Sequence, residues 1–258
     1  VMHRQVELAQ RYGVSGFCFY YYWFSGKRLM EKPLENFLKD KTLHFPFCLC
    51  WACDRWSKRW DGGTQELLMD SYLREDDARR FFADILPFVE DARYIRLAGR
   101  PLLQIYHVRQ FPHDVYMRFL TELQELAEKE GFRFHISIAL TNDMYAEVDY
   151  TSIQPADWGA DSFVEFPPHG RLRFDDMPRR RDIRFVNPCF HGKIYDMNVF
   201  FEKRQYESPL VQGKCFRTVF PAWDNTARKW QTSAMVYTNI TPERYGQWLE
   251  SCLRYTQH

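Results

Sequence analysis

Aromatic rings and carboxylates occur side by side at several points of the chain, each time directly after a short apolar run. The densest example follows the second such run and contains Trp51, Asp54, Trp56, Trp60 and Asp61. Sugars are bound by this mixture, because their axial C–H faces pack on aromatic rings and their hydroxyls bond to carboxylates, amides and guanidinium groups. The residues therefore predict a carbohydrate-binding cleft.

The same mixture recurs after other apolar runs, and together these positions form a predicted substrate-binding set. The rings expected to stack on or enclose a sugar are Tyr20, Tyr22, Trp23, Trp51, Trp56 and Trp60. The groups expected to bond to its hydroxyls are Asp54, Asp61, Asp224 and Asn225. Tyr106 and Trp223 are further substrate-binding candidates, and Arg228 is expected to orient Asp224.

Each of these assignments has a structural alternative. A tyrosine or tryptophan at a strand end is often part of the core, and the segment WDNTAR around Asp224 would serve equally well to fix its own loop. Glu165 is the candidate if one catalytic carboxylate lies within these residues. His107 and His169 are weaker candidates, because an exposed or hydrogen-bonded histidine is the ordinary case.

The apolar runs alternate with amphipathic segments, a pattern typical of repeated strand–helix units. Six runs predict strands over residues 16–23, 45–52, 101–107, 134–140, 161–166 and 215–223. Periodicity and capping signals predict helices over residues 6–12, 34–39, 75–89, 115–129, 195–205 and 242–255. Gly13 is expected to end the first helix, and Thr241 with Pro242 to begin the last.

Strands that are apolar along nearly their whole length are typical of parallel sheets covered on both faces. Two α/β architectures fit, a (β/α)8 barrel lacking two units and an open doubly wound sheet. No glycine-rich phosphate loop follows a strand, which disfavours the nucleotide-binding form of the second. From the residues alone, both architectures stay open.

Composition excludes several classes of function. The 35 Lys and Arg residues nearly balance the 34 Asp and Glu residues, so a net charge of +1 provides no basic surplus for nucleic acid. No apolar run reaches the roughly 20 residues of a transmembrane helix. The seven cysteines are odd in number and scattered, which predicts thiols in a reducing, cytoplasmic compartment. Cys48, Cys50 and Cys53 lack a second pair at zinc spacing, so neither a metal nor another cofactor is expected.

Four segments carry a resemblance to a known family. They are GVSGFCFYYYWFSGKRLMEKPLENFL, FPFCLCWACDRWSKRWDG, DARYIRLAGRPLLQIYH, and PAWDNTAR followed thirteen residues later by PERYGQWL. These segments resemble the WbsX family, which carries a domain similar to glycoside hydrolase family 99. The resemblance implies a (β/α)8 barrel and work on a bacterial cell-surface polysaccharide, such as an O-antigen or capsule.

The resemblance also implies a chemistry. Hydrolase relatives cleave α-mannosidic links with retention and use two carboxylates. The family pattern places a first strand ahead of Val1, and a last strand with the corresponding glutamates beyond His258. The resemblance therefore implies an α/β TIM-type barrel whose first and last strands are missing from this chain. We expect residues 1–258 to be a single domain that is a fragment of it. Within the matched region, Cys53, Asp54 and His107 stand where the family commonly has Asn, Glu and Arg.

Three functions remain open at this point. The first is a retaining glycosidase or transglycosylase that acts on an α-linked glycan, with an oligosaccharide or polysaccharide as its partner. The second is a nucleotide-sugar glycosyltransferase of lipopolysaccharide biosynthesis, whose DxD-like diphosphate element would be Asp175–Asp176. The third is a non-catalytic glycan-binding protein or a decayed enzyme.

Overall fold

The computed structural model describes residues 1–58, 66–141, 153–169, 183–184, 186, 189–190, 192–211, 213–229 and 234–256. The helices are α1 (Met2–Arg11), α2 (Lys32–Lys39), α3 (Asp77–Val89), α4 (His113–Lys129), α5 (Asn198–Glu202), α6 (Thr226–Lys229) and α7 (Pro242–Tyr255). The strands are β1 (Phe17–Phe24), β2 (Lys27–Leu29), β3 (Phe47–Ala52), β4 (Trp56–Ser57), β5 (Leu67–Met69), β6 (Arg96–Leu97), β7 (Arg100–Tyr106), β8 (His135–Leu140), β9 (Ser162–Glu165), β10 (Lys193–Asp196), β11 (Cys215–Phe216), β12 (Trp223–Asp224) and β13 (Met235–Thr238).

The chain divides into two compact units. The first comprises Val1–Asp54, Asp70–Ala139 and Gln154–Phe163. The second comprises Arg55–Met69, Leu140–Ile153 and Val164–His258. The first unit holds the larger, mostly parallel sheet, and the second holds a smaller sheet with an aromatic core of its own.

Parallel strands form the centre of the first unit. The strand order is β9-β8-β7-β3-β1-β2, and β6 pairs with β7. The pairs β1–β3, β3–β7 and β7–β8 are parallel, whereas β2 and β6 are antiparallel to their partners. Helices α2, α3 and α4 occur between successive parallel strands along the chain. This confirms the predicted α/β class with a mostly parallel sheet.

The core of the first unit follows from the alternation of side chains along β1, because successive residues of a strand point to opposite faces. Phe19 packs on Phe37 of α2 with ring centroids 5.2 Å apart. Tyr21 and Trp23 pack on Phe81 of α3 at 5.9 and 5.2 Å. The odd-numbered residues of β1 thus pack against the helices, and the even-numbered residues lie on the opposite face of the strand.

The last three helices of the first unit lie within two residues of their predicted bounds, whereas α1 begins at Met2, four residues before its predicted start. In α4 the residues Tyr116, Phe119, Leu123 and Ala127 are buried, at the spacing of one helical face. Each such side chain stabilises the fold by roughly 1.5–3 kcal/mol through burial when it is large and apolar. Gly13 follows α1 with a φ of +76°, which a glycine adopts without steric cost and which confirms the predicted helix end.

The second unit is built around a small sheet and two helices. β10 runs parallel to β13, and β12 runs antiparallel to it. Trp248 of α7 is fully buried, and Phe200 and Phe220 pack on it with ring centroids 5.0 and 5.5 Å away. Thr241 caps α7 by accepting a hydrogen bond from the Arg244 amide, as the sequence predicts.

The predictions were wrong mainly in the second unit. The strand predicted over 215–223 is two separate short strands, β11 and β12. Between them the Thr218 amide donates to the Glu165 carboxylate instead of to a strand neighbour, and Pro221 follows, which disfavours a continuous ladder. The helix predicted over 195–205 is shortened to α5, because residues Lys193–Asp196 form β10. The strands β10 and β13 were not predicted.

Candidate functional site

Two tyrosines form an aromatic surface at the carboxyl end of β1. Tyr20 and Tyr22 lie on the face of the strand opposite the helices, and their rings are stacked with centroids 5.8 Å apart and planes at 19°. Tyr20 is 47% exposed, although it lies in a strand whose neighbours Tyr21 and Trp23 are buried. An exposed pair of stacked phenol rings is a suitable surface for the apolar face of a sugar.

Burial and neighbouring groups, Asp54 among them, raise the pKa of both tyrosines. Burial raises the pKa of Tyr20, and the nearby Cys50, Tyr22, Cys18 and Asp54 raise it further. Burial also raises the pKa of Tyr22, with Cys50 and Asp54 adding to the shift. Both phenols therefore stay neutral at physiological pH and can donate hydrogen bonds to a ligand.

Asp54 is paired with a histidine from the neighbouring strand. Its Oδ1 atom contacts the Nδ1 atom of His107, which directly follows β7. The Asp54 side chain is 10% exposed and the His107 side chain 33% exposed. Tyr106, the preceding residue, stacks on the His107 ring with centroids 5.5 Å apart. A carboxylate, an imidazole and a phenol thus meet at the carboxyl ends of β3 and β7.

Hydrogen bonds to the backbone fix the segment that carries Asp54. The Cys53 thiol donates to the Tyr106 carbonyl oxygen, with sulfur and oxygen 2.9 Å apart. The Gln110 side-chain amide donates to the Cys53 carbonyl oxygen and to the Ser71 hydroxyl, the latter at 3.0 Å. Cys53 therefore has a structural role. The sequence did not predict a role for Gln110, because this residue lies in a polar stretch that has neither helical nor strand periodicity.

Three thiols lie on the same strand face as the tyrosine pair. Cys18 lies opposite Cys48 and Tyr20 lies opposite Cys50 in the parallel register of β1 and β3. Hydrogen bonds from Cys48 and Cys50 lower the pKa of Cys18. The Cys18 thiol also contacts the Gln104 side-chain oxygen at 3.5 Å. None of the seven cysteines takes part in a disulfide bond.

Two tryptophans predicted to enclose the sugar belong instead to the core, so this part of the prediction is corrected. Trp23 and Trp51 are each 1% exposed. The Trp23 indole donates to Asp84 at 2.8 Å, and the Trp51 indole donates to the Trp23 carbonyl oxygen at 3.1 Å. Their strand positions turn them towards α3 and α4. Trp23 comes two residues after the buried Tyr21, so both side chains lie on the same face of β1, and this spacing predicts the burial of Trp23.

The remaining candidates of the tryptophan-rich segment are described only in part. Trp56 forms β4 in the second unit and lies opposite Met69 of β5, where its side chain is half-buried. Trp60 and Asp61 lie outside the described residues. Their predicted contacts with a sugar stay predictions.

The WDNTAR segment of the second unit joins β12 directly to α6 and is held by hydrogen bonds. Asp224 accepts a hydrogen bond from the Thr226 amide at 2.8 Å and is exposed. The Asn225 side-chain oxygen accepts from the Met235 amide at 2.6 Å, and Asn225 is 9% exposed. The Trp223 side chain packs against the aromatic core of this unit. Arg228 lies in α6, and its side chain is outside the described part of the chain, so its predicted role toward Asp224 stays a prediction.

Glu165 is buried in the second unit, where it contacts an arginine and two backbone amides. Its side chain and that of Arg217 are both fully buried, with Nε and Oε1 3.0 Å apart. Its two carboxylate oxygens accept hydrogen bonds from the Leu210 and Thr218 amides, each at 3.2 Å. In this conformation the carboxylate organises the chain around it. His169, the weaker histidine candidate, follows the same strand and is half-buried.

The described part of the chain has neither a metal-type cluster nor a membrane-type helix. No group of three His, Cys, Asp or Glu residues in it has an arrangement that could hold a metal ion. None of its helices combines the length and apolar character that membrane crossing requires. Residues 175–176, the DxD-like element, lie outside the described ranges.

A comparison with solved structures finds a similar α/β fold. A solved structure described as a glycoside hydrolase-like protein superposes with a TM-score of 0.53, covering 97% of this chain and 71% of its own. Its sequence identity is 10%, so the likeness concerns the fold.

Comparison of sequences identifies the family. The family described as glycosyltransferase WbsX matches residues 1–258, and the chain belongs to this family. Two relatives from strains of Xanthomonas campestris pv. campestris, each described as uncharacterized protein WxcX, are 33% identical over 249 residues. The match covers 96% of this chain and 34% of each relative, so the chain spans about a third of the length of these relatives.

Proposed function

We propose that the carboxyl ends of β1, β3 and β7 form the glycan site of a carbohydrate-active enzyme. The enzyme would act on an α-linked glycan of a bacterial cell-surface polysaccharide, by retaining hydrolysis or transglycosylation. The observation that carries this proposal is the stacked pair Tyr20–Tyr22, which lies close to the Asp54 carboxylate on the same unit. A sugar stacked on the rings would find hydroxyl-binding partners beside it.

The chemistry of the site fits an uncharged, hydroxyl-rich ligand. The raised pKa values keep Tyr20 and Tyr22 neutral, so both offer donors and acceptors without repelling the ring of a sugar. The Asp54 carboxylate next to His107 offers acceptor oxygens for hydroxyls and disfavours a phosphate beside it. These features support a polyol ligand over a diphosphate in the first unit.

Three further parts of the proposal concern the whole protein: its barrel fold, its role in polysaccharide metabolism and its location. We infer a (β/α)8 barrel and a single domain, supported by the parallel sheet and by the glycoside hydrolase-like neighbour. A role in O-antigen or capsule metabolism is supported by membership of the WbsX family. A cytoplasmic location is supported by the seven thiols.

Retaining cleavage requires two carboxylates at the reacting bond. Asp54 is committed to His107, and Glu165 is committed to Arg217 and two backbone amides. We therefore assign binding and positioning roles to the described residues.

A screen of glycans tests the proposal. The chain is incubated with α-linked oligosaccharides and with nucleotide sugars, and ligand binding and new anomeric signals are followed by 1H NMR. We expect saturation transfer to at least one α-linked glycan, and its loss in Tyr20→Ala. Tyr12→Ala is the matched control, because Tyr12 is an exposed tyrosine of the same unit at the end of α1.

A nucleotide-sugar glycosyltransferase is the second candidate, and the description of the family favours it. This function needs a diphosphate-binding group as well as an acceptor site. Saturation transfer from the nucleotide of a sugar donor, without cleavage of any glycan, would favour this candidate. Glycan binding with neither cleavage nor transfer would instead indicate a binding protein.

A further inference from the structure

Three thiols lie together on one face of the larger sheet. Cys18 of β1 lies directly opposite Cys48 of β3, and Cys50 lies two residues further along β3, opposite Tyr20. Successive residues of a strand point to opposite faces, so the three cysteines share the face that carries the tyrosine pair. None of them takes part in a disulfide bond. The proposed glycan site uses none of these three groups.

The Cys18 side chain extends over the neighbouring strand β3. Its sulfur lies 3.5 Å from the side-chain oxygen of Gln104. Gln104 belongs to β7, which pairs with β3 on the edge opposite to β1. A side chain that starts on β1 and contacts β7 has to cross the face of the strand between them. The Cys18 sulfur is therefore directed towards the thiols of β3.

The three thiols differ in their access to solvent and in their ionisation. Cys18 is exposed, whereas Cys48 and Cys50 are each 3% exposed. The neighbouring Cys48 and Cys50 thiols lower the pKa of Cys18, while the Cys18 sulfur and burial raise the pKa of Cys48. The thiolate is the nucleophilic form of cysteine. Cys18 is thus the thiolate that a dissolved oxidant can reach, and Cys48 is a protonated thiol behind it.

The strand register decides which buried thiol can bond to Cys18. Adjacent strands lie about 4.8 Å apart, which is within the range of roughly 4.4–6.8 Å between the Cα atoms of a disulfide, so Cys48 satisfies this condition. Cys50 is displaced by two residues along β3, which places its Cα atom about 8 Å from that of Cys18. Cysteines more than about 7 Å apart are not bridged without backbone movement. Cys48 is therefore the partner that the register allows.

We propose that Cys18 and Cys48 form an oxidation site for hydrogen peroxide, in which Cys18 reacts with the peroxide and Cys48 converts the product into a disulfide. The Cys18 thiolate attacks one peroxide oxygen, the O–O bond breaks and hydroxide leaves, which gives a sulfenic acid at Cys18. The Cys48 sulfur then attacks the Cys18 sulfur and the S–O bond breaks. The Cys48 proton leaves with the hydroxyl group as water. The two sulfurs together lose two electrons, and one peroxide is reduced.

This site goes beyond the proposed function, because its chemistry needs no glycan. Its substrate is a hydroperoxide, and its product is a bridge between β1 and β3 that a dithiol reductant reverses by exchange. The bridge joins the two strands two residues before Tyr20, on the same face. Transient bonds of this kind are the usual form of a disulfide in a reducing compartment.

Peptide mapping of the parent chain tests the pairing. The reduced chain is treated with one equivalent of hydrogen peroxide, the remaining thiols are alkylated, and the peptides are analysed by mass spectrometry without reduction, with fragmentation to locate each bonded sulfur. We expect a peptide containing Cys18 bonded through Cys48 to a second peptide, and the loss of this species after treatment with dithiothreitol. An unmodified Cys18, or a bridge from Cys18 to Cys50, would overturn the inference.

Two alanine variants separate the roles of the buried thiols. In Cys48→Ala the bridge should disappear and a sulfenic acid should persist at Cys18, so that dimedone labels this residue several-fold more than in the parent. Cys50→Ala is the matched control, since it removes an equally buried thiol of the same strand, and it should keep the bridge. Equal dimedone labelling of Cys18 in the parent and in Cys48→Ala would contradict the role of Cys48. If neither variant folds, the peptide map of the parent decides.

Discussion

Glu165 and Arg217 form an ion pair in the second unit in which both side chains are fully buried and Nε lies 3.0 Å from Oε1. Arg217 also donates to the Tyr206 carbonyl oxygen at 2.7 Å, and its guanidinium lies 5.4 Å from the centroid of the Tyr255 ring. The pair therefore connects β9, the segment before β11 and the end of α7. Its contacts are those of a structural group.

This relationship predicts that Glu165→Gln destabilises the fold. Removing one charge leaves the Arg217 guanidinium buried without its partner, which costs about 3 kcal/mol. The free energy of unfolding is measured in urea, with Glu202→Gln as an exposed control in α5. A variant that keeps its stability but loses a glycan-cleaving activity would show that Glu165 acts in the chemistry instead.

Asp91 predicts a pH dependence of stability. Arg93 donates to both of its carboxylate oxygens, and these bonds, together with Lys41, hold the pKa of Asp91 well below its usual range. Stability from a lowered pKa is present above the unfolded value, about 3.9, and is lost as the pH falls through the folded value. The parent should exceed Asp91→Asn by about 2 kcal/mol above pH 5.

That difference should shrink steadily below about pH 4. Unfolding in urea from pH 2 to 7 measures it. Asp114→Asn is the control, because the ion pair between Asp114 and Arg118 is exposed on α4 and contributes little. A difference between parent and Asp91→Asn that stays constant down to pH 2 would contradict the assignment.

The thiol cluster predicts an ionised cysteine. Hydrogen bonds from Cys48 and Cys50 lower the pKa of Cys18, so its alkylation by iodoacetamide should have a midpoint below the ordinary thiol value of about 8.5. The double variant Cys48→Ser, Cys50→Ala should move that midpoint upward. Mass spectrometry of peptides labelled between pH 5 and 9 gives both curves, with the exposed Cys189 as an internal comparison. Equal midpoints for the two thiols would refute this prediction.

Much of the first unit could be predicted from the sequence because its strands are uninterrupted apolar runs. β1, β3, β7 and β8 were predicted to within about two residues, and the helical period of α4 located its buried face. The second unit could not be predicted in this way. β10 and β13 are four residues long and mix polar with apolar side chains, so their parallel pairing is a long-range property.

The grouping of aromatic and carboxylate residues near strand ends could be predicted from the sequence, whereas the strand face of each side chain could not. Tyr20, Tyr22 and Asp54 are brought together at strand ends as aromatic and carboxylate groups, whereas Trp23 and Trp51 face the helices. Residue type alone does not show the face to which a side chain points. The pairing of Asp54 with His107 depends on which strands are neighbours, which the sequence does not state.

The measurement that tests the account most directly is the affinity of the chain for an α-linked glycan found in the screen, compared between the parent, Tyr20→Ala and Tyr12→Ala by isothermal titration. Loss of the exposed ring of Tyr20 should weaken binding about tenfold, which is the effect of removing a stacking surface. Tyr12→Ala should bind like the parent. Equal affinity of all three chains would contradict a glycan site at the carboxyl ends of β1, β3 and β7.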